Sequence, residues 1–388
     1  MIMSFYELLI ILFVTLIVAS VAYNLFAFHC VAAFFTEKNH QIPAQAVSMP
    51  VSIIKPLKGF DENFRSNLET FCTQDYPCYE VLLGFSDPAD PAVPVANDLA
   101  ASHKACCVST IINAKKLGTN KKVSNLKGLV ESATYDLLVI SDSDMSVERS
   151  YLRNILSEYS DNKNIGLVTC LYKISHPRTP GAALESLTIA LDFIPSVLVA
   201  QRLEGITFGL GATLVISKKA LDDIGGLATI ADYLADDYQI GNRLWKKGYH
   251  IVLSDVVLEN DAGPMSISDF FAHQLRWART YRASRPKGYV GYGISHLFPL
   301  SLFFFFMQGP TIFALLLLAS ALTIRLGLAS LVSARVIRKK HWIRWIPLLP
   351  LKDLFSFGIW AWSFLTNKVT WRGISFRITK GGFIKEEV

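Results

Sequence analysis

Three acidic sites in this chain each follow an apolar run that reads as a strand or opens a helix. Asp87 follows Val81–Ser86, and Asp142 and Asp144 follow Leu137–Ser141. Asp236 and Asp237 stand in the run Leu-Ala-Asp-Asp-Tyr, at a helix start. Side chains alternate along extended backbone, so the Asp-x-Asp spacing turns two carboxylates to one side. Such a pair holds a divalent cation (Mg or Mn) and leaves its remaining positions to water and phosphate oxygens. A cation so held stabilises a departing diphosphate. Transfer of a group to a hydroxyl also needs a proton acceptor within hydrogen-bond reach. Asp237 is the first candidate for that base and Asp236 the second. Each acid also has an ordinary structural account. Asp and Ser are frequent in turns after strands, and acids at a helix start favour the helix dipole.

A second group lies further on, in His273-Gln-Leu-Arg276-Trp277, on a helical stretch. Arg276 carries the forked donors that suit a diphosphate, and Trp277 can stack or pack beside it. Arg279, Arg282, Arg285 and Lys287 add positive charge. A basic amphipathic helix on anionic lipid is the competing account. Both hold if Arg276 and Trp277 face the site and the other cations face headgroups.

The elements that must position these residues lie between Met49 and about Gly291. There, short β-rich runs alternate with helical ones. Val51–Lys55 is a strand ended by Pro56, Asn63–Thr73 a helix, Tyr79–Ser86 a strand and Pro91–His103 a helix. Val108–Ile112, Leu137–Ser141, Ile165–Cys170 and Thr213–Ile216 read as strands, and Val123–Thr134 as a helix. This alternation predicts an α/β domain with a parallel sheet and helices on both faces. Ligands bind such sheets beyond the carboxyl ends of the strands. No G-x-G-x-x-G follows the first strand, which removes the main support for a dinucleotide site. In Phe208-Gly-Leu-Gly-Ala-Thr213 the glycines allow close backbone approach to a ligand, or simply make a turn.

The 388-residue chain is 51% hydrophobic, and the apolar residues gather at its two ends. Leu8–Phe35 carries no formal charge and exceeds the roughly 20 helical residues that a bilayer core needs. It is also too long for a cleaved signal peptide. A second block, about Gly293–Val332, is broken near Gly309-Pro310 and predicts two helices, 294–308 and 311–332, with Arg325 its main charge. The last block, Trp345–Leu365, is a third span or an interfacial segment. The domains expected are therefore an anchor at 1–36, a catalytic region at 49–291, membrane segments at 293–366 and a basic tail at 367–388. Arg335, Arg338, Lys339, Lys340 and Arg344 put their segment in the cytoplasm. The tail prefers the cytoplasm too, which conflicts with an odd number of crossings after the catalytic region. The net charge of +6 thus points to membrane rather than nucleic acid. Six cysteines, Cys30, Cys72, Cys78, Cys106, Cys107 and Cys170, form no C-x-x-C pair and read as reduced thiols.

Taken in order, these motifs resemble the ceramide glucosyltransferase family of inverting glycosyltransferases. Within it the likeness is closest to bacterial hopanoid-biosynthesis enzymes. Asp87 matches the first acid of the pattern, Asp142 and Asp144 the Asp-x-Asp, Asp237 the third acid and presumed base, and Arg276-Trp277 the final motif. His273 stands where the family usually has Gln or Arg. The stretches Ser66–Pro77, Asn120–Asn125 and Phe193–Val199 support the likeness. The resemblance implies a GT-A fold (a Rossmann-like nucleotide-sugar domain) and direct displacement with inversion. It implies a UDP-sugar donor held by Lys55-Pro56, Asp87, Lys121 or Lys122, Asp142, His273, Arg276 and Trp277, and a divalent ion on Asp144 and Asp142. It further implies a membrane lipid acceptor and a multi-pass protein of the cytoplasmic (inner) membrane with its catalytic domain in the cytosol. Transfer of N-acetylglucosamine to a hopanoid polyol is the first expectation, and glucose to ceramide the alternative. A processive polysaccharide synthase would need more helices for a polymer channel, and a transporter would place its polar residues at the bilayer midplane.

Overall fold

The computed structural model describes residues 4–37, 49–59, 62–103, 107–159, 164–371 and 373–387. Cys106 lies outside them. Chain order begins with α1 (Phe5–Glu37), β1 (Val51–Pro56), α2 (Phe64–Cys72), β2 (Tyr79–Phe85), α3 (Val93–Ser102), β3 (Cys107–Ile112) and α4 (Lys121–Ser132). It continues through β4 (Leu137–Ile140), β5 (Met145–Ser146), α5 (Tyr151–Ser157), β6 (Ile165–Lys173), α6 (Pro180–Thr188), α7 (Ile194–Glu204), β7 (Leu214–Ser217), α8 (Lys218–Asp223), α9 (Asp236–Lys246) and β8 (His250–Asn260). The remainder is α10 (Ile267–Ser284), α11 (Pro286–Gly291), α12 (Leu297–Gln308), α13 (Ile312–Val332), α14 (Leu349–Trp362), β9 (Lys368–Trp371), β10 (Ile374–Ile378) and β11 (Ile384–Glu386).

These elements form two compact units. A helical unit holds Met1–Lys38, Ile174–Leu203 and Pro264–Trp371, and a sheet unit holds Asn39–Lys173, Glu204–Gly263 and Arg372–Val388. The segments 174–203 and 264–291, read from sequence as part of one continuous catalytic region, thus pack with the apolar helices. Their own composition explains it: Pro180–Glu204 is apolar enough to count among the candidate membrane helices.

In the sheet unit eight strands run in the order β3-β2-β1-β4-β7-β6-β8-β5. The first four are parallel, with Pro56 opposite Gly84 and Ile54 opposite Ile140. Val51–Pro56 is buried at every residue, as a strand covered on both faces must be. The expected parallel sheet is corrected beyond this point. β7 lies antiparallel between β4 and β6, and β5 is antiparallel to β8. The apolar run Leu214–Ser217 shows that a strand exists there but carries no sign of its direction. The antiparallel β7 has one useful effect. Its first residue, Leu214, sits opposite Ile140, the last of β4, so the loop before β7 opens at the same sheet edge as the loops after β1, β2 and β4.

In the helical unit α1 runs 33 residues, about 50 Å at 1.5 Å per residue. Among the described residues three helices are long and apolar enough to cross a membrane: Phe5–Thr36, Pro180–Glu204 and Ile312–Ile337. The pair Pro286–Ser295 and Leu297–Gln308, bent by 59°, makes a fourth if it acts as one broken span. The two helices expected at 294–308 and 311–332 are α12 and α13, separated at Gly309 (φ +70°), where the missing Cβ permits the turn. α14 has 14 residues, about 21 Å, short of a bilayer core of about 30 Å. A π-helical turn, Ile189–Phe193, joins α6 to α7. Arg325, a lone charge in the sequence, is not lone in the fold. It bonds Asp353 through Nε (2.9 Å) and Nη2 (2.7 Å), and Asp192 through Nη2 (2.9 Å). Lys352 closes the network on Asp192 (2.7 Å) and Asp353 (2.8 Å).

Candidate active site

The acids of the sheet unit gather at one sheet edge. α4 begins at Asn120, whose side chain accepts the N–H groups of Lys122 (2.9 Å) and Val123 (3.2 Å). This cap satisfies two of the orphan donors of the helix start. The same Asn120 reaches the segment before α9: its N–H donates to the Ala231 carbonyl and its Nδ2 to the Tyr233 carbonyl, both at 2.7 Å. One residue therefore sets the position of Lys122 relative to Asp236 and Asp237. Lys122 Nζ stands 2.7 Å from Asp142 Oδ1 and 3.3 Å from Asp236 Oδ2. Burial alone would lower the Lys122 ammonium, but Asp142, Asp236 and Asp237 outweigh it and hold the group well above the ordinary lysine range.

Asp142 and Asp237 meet at Gly211. A Cβ on that glycine would lie 2.8 Å from Asp142 Oδ2 and 3.2 Å from Asp237 Oδ2. A Cβ on Gly241 would lie 2.1 Å from the Gly209 nitrogen, so α9 presses directly on the loop before β7. The glycines of Phe208–Thr213 thus make room for the acids and for α9. Burial, then the neighbouring Asp236, pushes the Asp237 carboxyl up to about 6, against the pull of Lys122.

Lys55, at the end of β1, is fully buried. Its Nζ donates to the Asp142 carbonyl (2.5 Å) and to Ser141 Oγ (3.3 Å), and lies 3.7 Å from the centroid of the Phe71 ring. Burial brings the ammonium down to about 7, despite the carboxylates of Asp144 and Asp142. In this position Lys55 fixes the backbone of the Asp-x-Asp. Asp144 follows, tied by its carbonyl to the Asp261 N–H (3.0 Å), while β5 pairs Met145 with Asn260. Asp144 Oδ1 is buried without a hydrogen-bond partner. Burial, with Asp142 adding to it, raises this carboxyl above the ordinary aspartate range.

Asp87 is exposed, and its Oδ1 accepts the Ala89 N–H (2.9 Å) in the turn after β2. Among the described residues no hydrogen bond or ion pair joins it to the cluster around Lys122. Asp90, not singled out from the sequence, accepts the Gly59 N–H with both oxygens (3.0 and 2.9 Å) and so holds the loop after β1.

His273, Arg276 and Trp277 belong to the helical unit, on α10. This helix starts with a capping box of Ser266 and Asp269. His273 Nδ1 meets Glu185 Oε1 at 2.9 Å, and its ring lies 4.7 Å from that of Trp277. Glu185 is buried on α6 and has one oxygen, Oε2, without a hydrogen-bond partner. The imidazole at this motif position thus faces a carboxylate from a distant helix, for which the local sequence gives no sign. Asn120 left a clearer sign. An Asn just before a helical run is a cap signature, and heeding it moves the start of α4 from Val123 to Lys121.

A family model described as glycosyl transferase family 21 matches residues 12–384. This chain belongs to glycosyl transferase family 21, and membership makes it a UDP-sugar-dependent glycosyltransferase. The α/β class with apolar helices at both ends stands with it, the sheet being mixed. The chain is 24% identical to ceramide glucosyltransferase 3 of Caenorhabditis elegans over 368 residues, 93% of this chain and 80% of that protein. It is 26% identical to ceramide glucosyltransferase 1 of the same organism over 264 residues, 68% and 56% of the two chains. A solved mannosyltransferase of Pyrobaculum calidifontis, in complex with GDP-mannose and Mn2+, aligns over 89% of this chain and 99% of its own at 18% identity and a TM-score of 0.47.

Proposed function

We propose that this enzyme transfers glucose from UDP-glucose to the hydroxyl of a ceramide-type lipid at a membrane surface, with inversion. The observation that carries the reading is the meeting of Asp142 and Asp237 over Gly211, beside Asp144, at the carboxyl edge of the sheet. The names of the two relatives favour ceramide over a hopanoid polyol as acceptor.

Asp237 is assigned as the base. It takes the proton of the lipid hydroxyl as that oxygen bonds to the anomeric carbon. The bond from that carbon to the diphosphate breaks, and UDP leaves with the electron pair. A carboxyl held up to about 6 accepts a proton more readily than an ordinary one and is still ionised at neutral pH. Asp236 supports it from the same helical turn, its charge balanced by Lys122. Asp87, exposed after β2, is assigned to the nucleoside, Lys122 to the diphosphate, and Lys55 to holding the Asp142 backbone. Arg276 and Trp277 are assigned to the departing UDP on the strength of their motif, with His273 setting the orientation of Trp277.

Asp142 and Asp144 suit a divalent ion. A buried carboxylate oxygen without a partner, Asp144 Oδ1, is a ligand in waiting. Among the described residues no three His, Cys, Asp or Glu side chains gather into a metal site. A pair of carboxylates completed by donor phosphates and water is the arrangement this donor set allows, and it is characteristic of Mg. The ion, when bound there, would offset the charge that grows on the departing diphosphate.

The test is mass spectrometry of lipids made by the purified full-length chain from UDP-glucose and UDP-N-acetylglucosamine, each offered with ceramide and with a hopanoid polyol. Hexosylceramide from UDP-glucose is the expected product. A glycosylated hopanoid would replace the acceptor assignment, and a sugar polymer would replace the reaction.

A further inference from the structure

The C-terminal residues read from sequence as a basic tail, yet within the sheet unit they are built into the approach to α9. β10 and β11 form an antiparallel hairpin with Ile378 opposite Ile384. Phe376, Ile378 and Ile384 are buried, so the hairpin is seated rather than loose. Its turn closes through the Thr379 N–H on the Phe383 carbonyl (2.8 Å), with Gly381 and Gly382 at φ +85° and +91°. A side chain other than glycine rarely adopts such values, and two in succession define a turn of fixed shape.

This turn grips the segment Asp232–Leu234, which leads into the acid pair. The Ile384 N–H donates to the Asp232 carbonyl (2.8 Å), and the Leu234 N–H donates to the Gly382 carbonyl (3.4 Å). Phe383 lies against Tyr233 with ring centroids 4.1 Å apart, and Arg243 of α9 stands 5.4 Å from the Tyr233 ring. From another direction Asn120 takes the carbonyls of Ala231 and Tyr233, and the Thr119 N–H donates to Asp232 Oδ1 (2.7 Å). The backbone immediately before Asp236 and Asp237 is thereby held by two separate parts of the chain.

We propose that the C-terminal hairpin is a positioning element of the transfer reaction, with the Phe383 turn fixing the Ala231–Leu234 segment and so the site at which α9 presents Asp236 and Asp237. This deepens the assignment of Asp237 as base and rests on it. Phe383 acts through Tyr233 and is a positioning residue. A general base displaced by about 1 Å loses on the order of a hundredfold in rate, so a lever on the segment before it is a lever on turnover. The residues assigned to the donor, Asp87 after β2, Lys122 on α4 and Arg276 and Trp277 on α10, lie outside the 231–234 segment, so donor affinity is expected to hold.

Phe383 is 42% exposed, so its removal leaves the core of the unit intact. The test compares Phe383→Ala and Phe383→Tyr in the full chain, purified in detergent. Phe383→Ala is expected to lower kcat about tenfold with the KM for the UDP-sugar unchanged, and Phe383→Tyr to restore it. Amide hydrogen exchange over 232–238 is expected to quicken in Phe383→Ala and not in Phe383→Tyr. Wild-type kcat in Phe383→Ala, or an equal loss in kcat and in donor affinity, overturns the proposal. Hydrogen exchange is read without substrate, so unchanged protection over 232–238 also overturns it, whatever becomes of the reaction assigned to Asp237.

Discussion

At the scale of single residues the site depends on an absent side chain. Gly211→Ala would put a methyl group 2.8 Å from Asp142 Oδ2 and 3.2 Å from Asp237 Oδ2, so one carboxylate must move. Turnover is expected to fall at least about tenfold, equivalent to about 1.4 kcal/mol in the barrier, while the thermal midpoint stays near that of the parent. Asp237→Asn removes the base itself and is expected to cost about 10²- to 10⁴-fold in kcat. The pH dependence follows from the groups that face Asp237: Asp236 and Asp142 raise its carboxyl, Lys122 lowers it, and burial exceeds them all, leaving it at about 6. The ionised form is the one that accepts the proton. Activity therefore holds above about pH 6 and falls about tenfold per unit below it, and a pH–rate profile checks this. A profile flat down to pH 4.5 would remove Asp237 from the role.

At the scale of elements the helical unit is pinned by charge. Arg325 on α13 reaches Asp353 on α14, Asp192 on the π-helical turn and, at 3.4 Å, Asn24 on α1. Breaking a buried pair from one side leaves an uncompensated charge, so Arg325→Leu is expected to cost about 3–5 kcal/mol. Changing both partners, Arg325→Met with Asp353→Leu, leaves Lys352 and Asp192 as a balanced pair and is expected to recover much of the loss. Thermal midpoints in detergent measure both. The same network marks where the sequence stops being readable. The strands β1, β2, β3 and β4 were legible because each is a short apolar run with a turn after it. The helices α12 and α13 were legible because Gly309-Pro310 divides one long apolar block. The place of 180–204 was not, since Asp192 makes the run look like part of a soluble domain, and Arg325, which neutralises it, lies 133 residues away. The direction of β7 and the pairing of His273 with Glu185 were hidden for the same reason: both are set by partners remote in sequence. The order of the four motifs was legible through the family resemblance, whereas the convergence of Asp142 and Asp237 needed the antiparallel β7 to bring Gly211 to the right edge.

At the scale of the whole molecule the connections constrain how the chain can lie in a membrane. The excursion 174–203 leaves from β6 and returns to β7, two paired strands of one sheet. A folded sheet lies on one side of a bilayer, so the apolar helix between them is expected to make no net crossing despite its length. The excursion 264–371 leaves from β8 and returns to the hairpin β10–β11, which is bonded to Asp232 of the sheet unit. An even number of crossings is therefore expected, supplied by α13 and by the bent pair Pro286–Ser295 and Leu297–Gln308 acting as one broken span. α14, which is not among the candidate membrane helices, is expected to add none. With an even count, tail and catalytic residues are expected to share a side, and so is the basic segment 335–344 after α13, in keeping with the positive-inside rule. With α1 the expected total is three crossings, which predicts that Ser4 and the Gly309 turn share one side of the membrane. Sealed vesicles with the catalytic side enclosed, treated with a membrane-impermeant maleimide, test the arrangement. In a background with the native cysteines replaced, Ser4→Cys and Gly309→Cys are expected to label in intact vesicles. Arg338→Cys and a retained Cys107, which is exposed on the sheet unit, are expected to label only after the membrane is opened. Labelling of Gly309→Cys and Cys107 from the same side would mean that α12 and α13 do not cross as a pair.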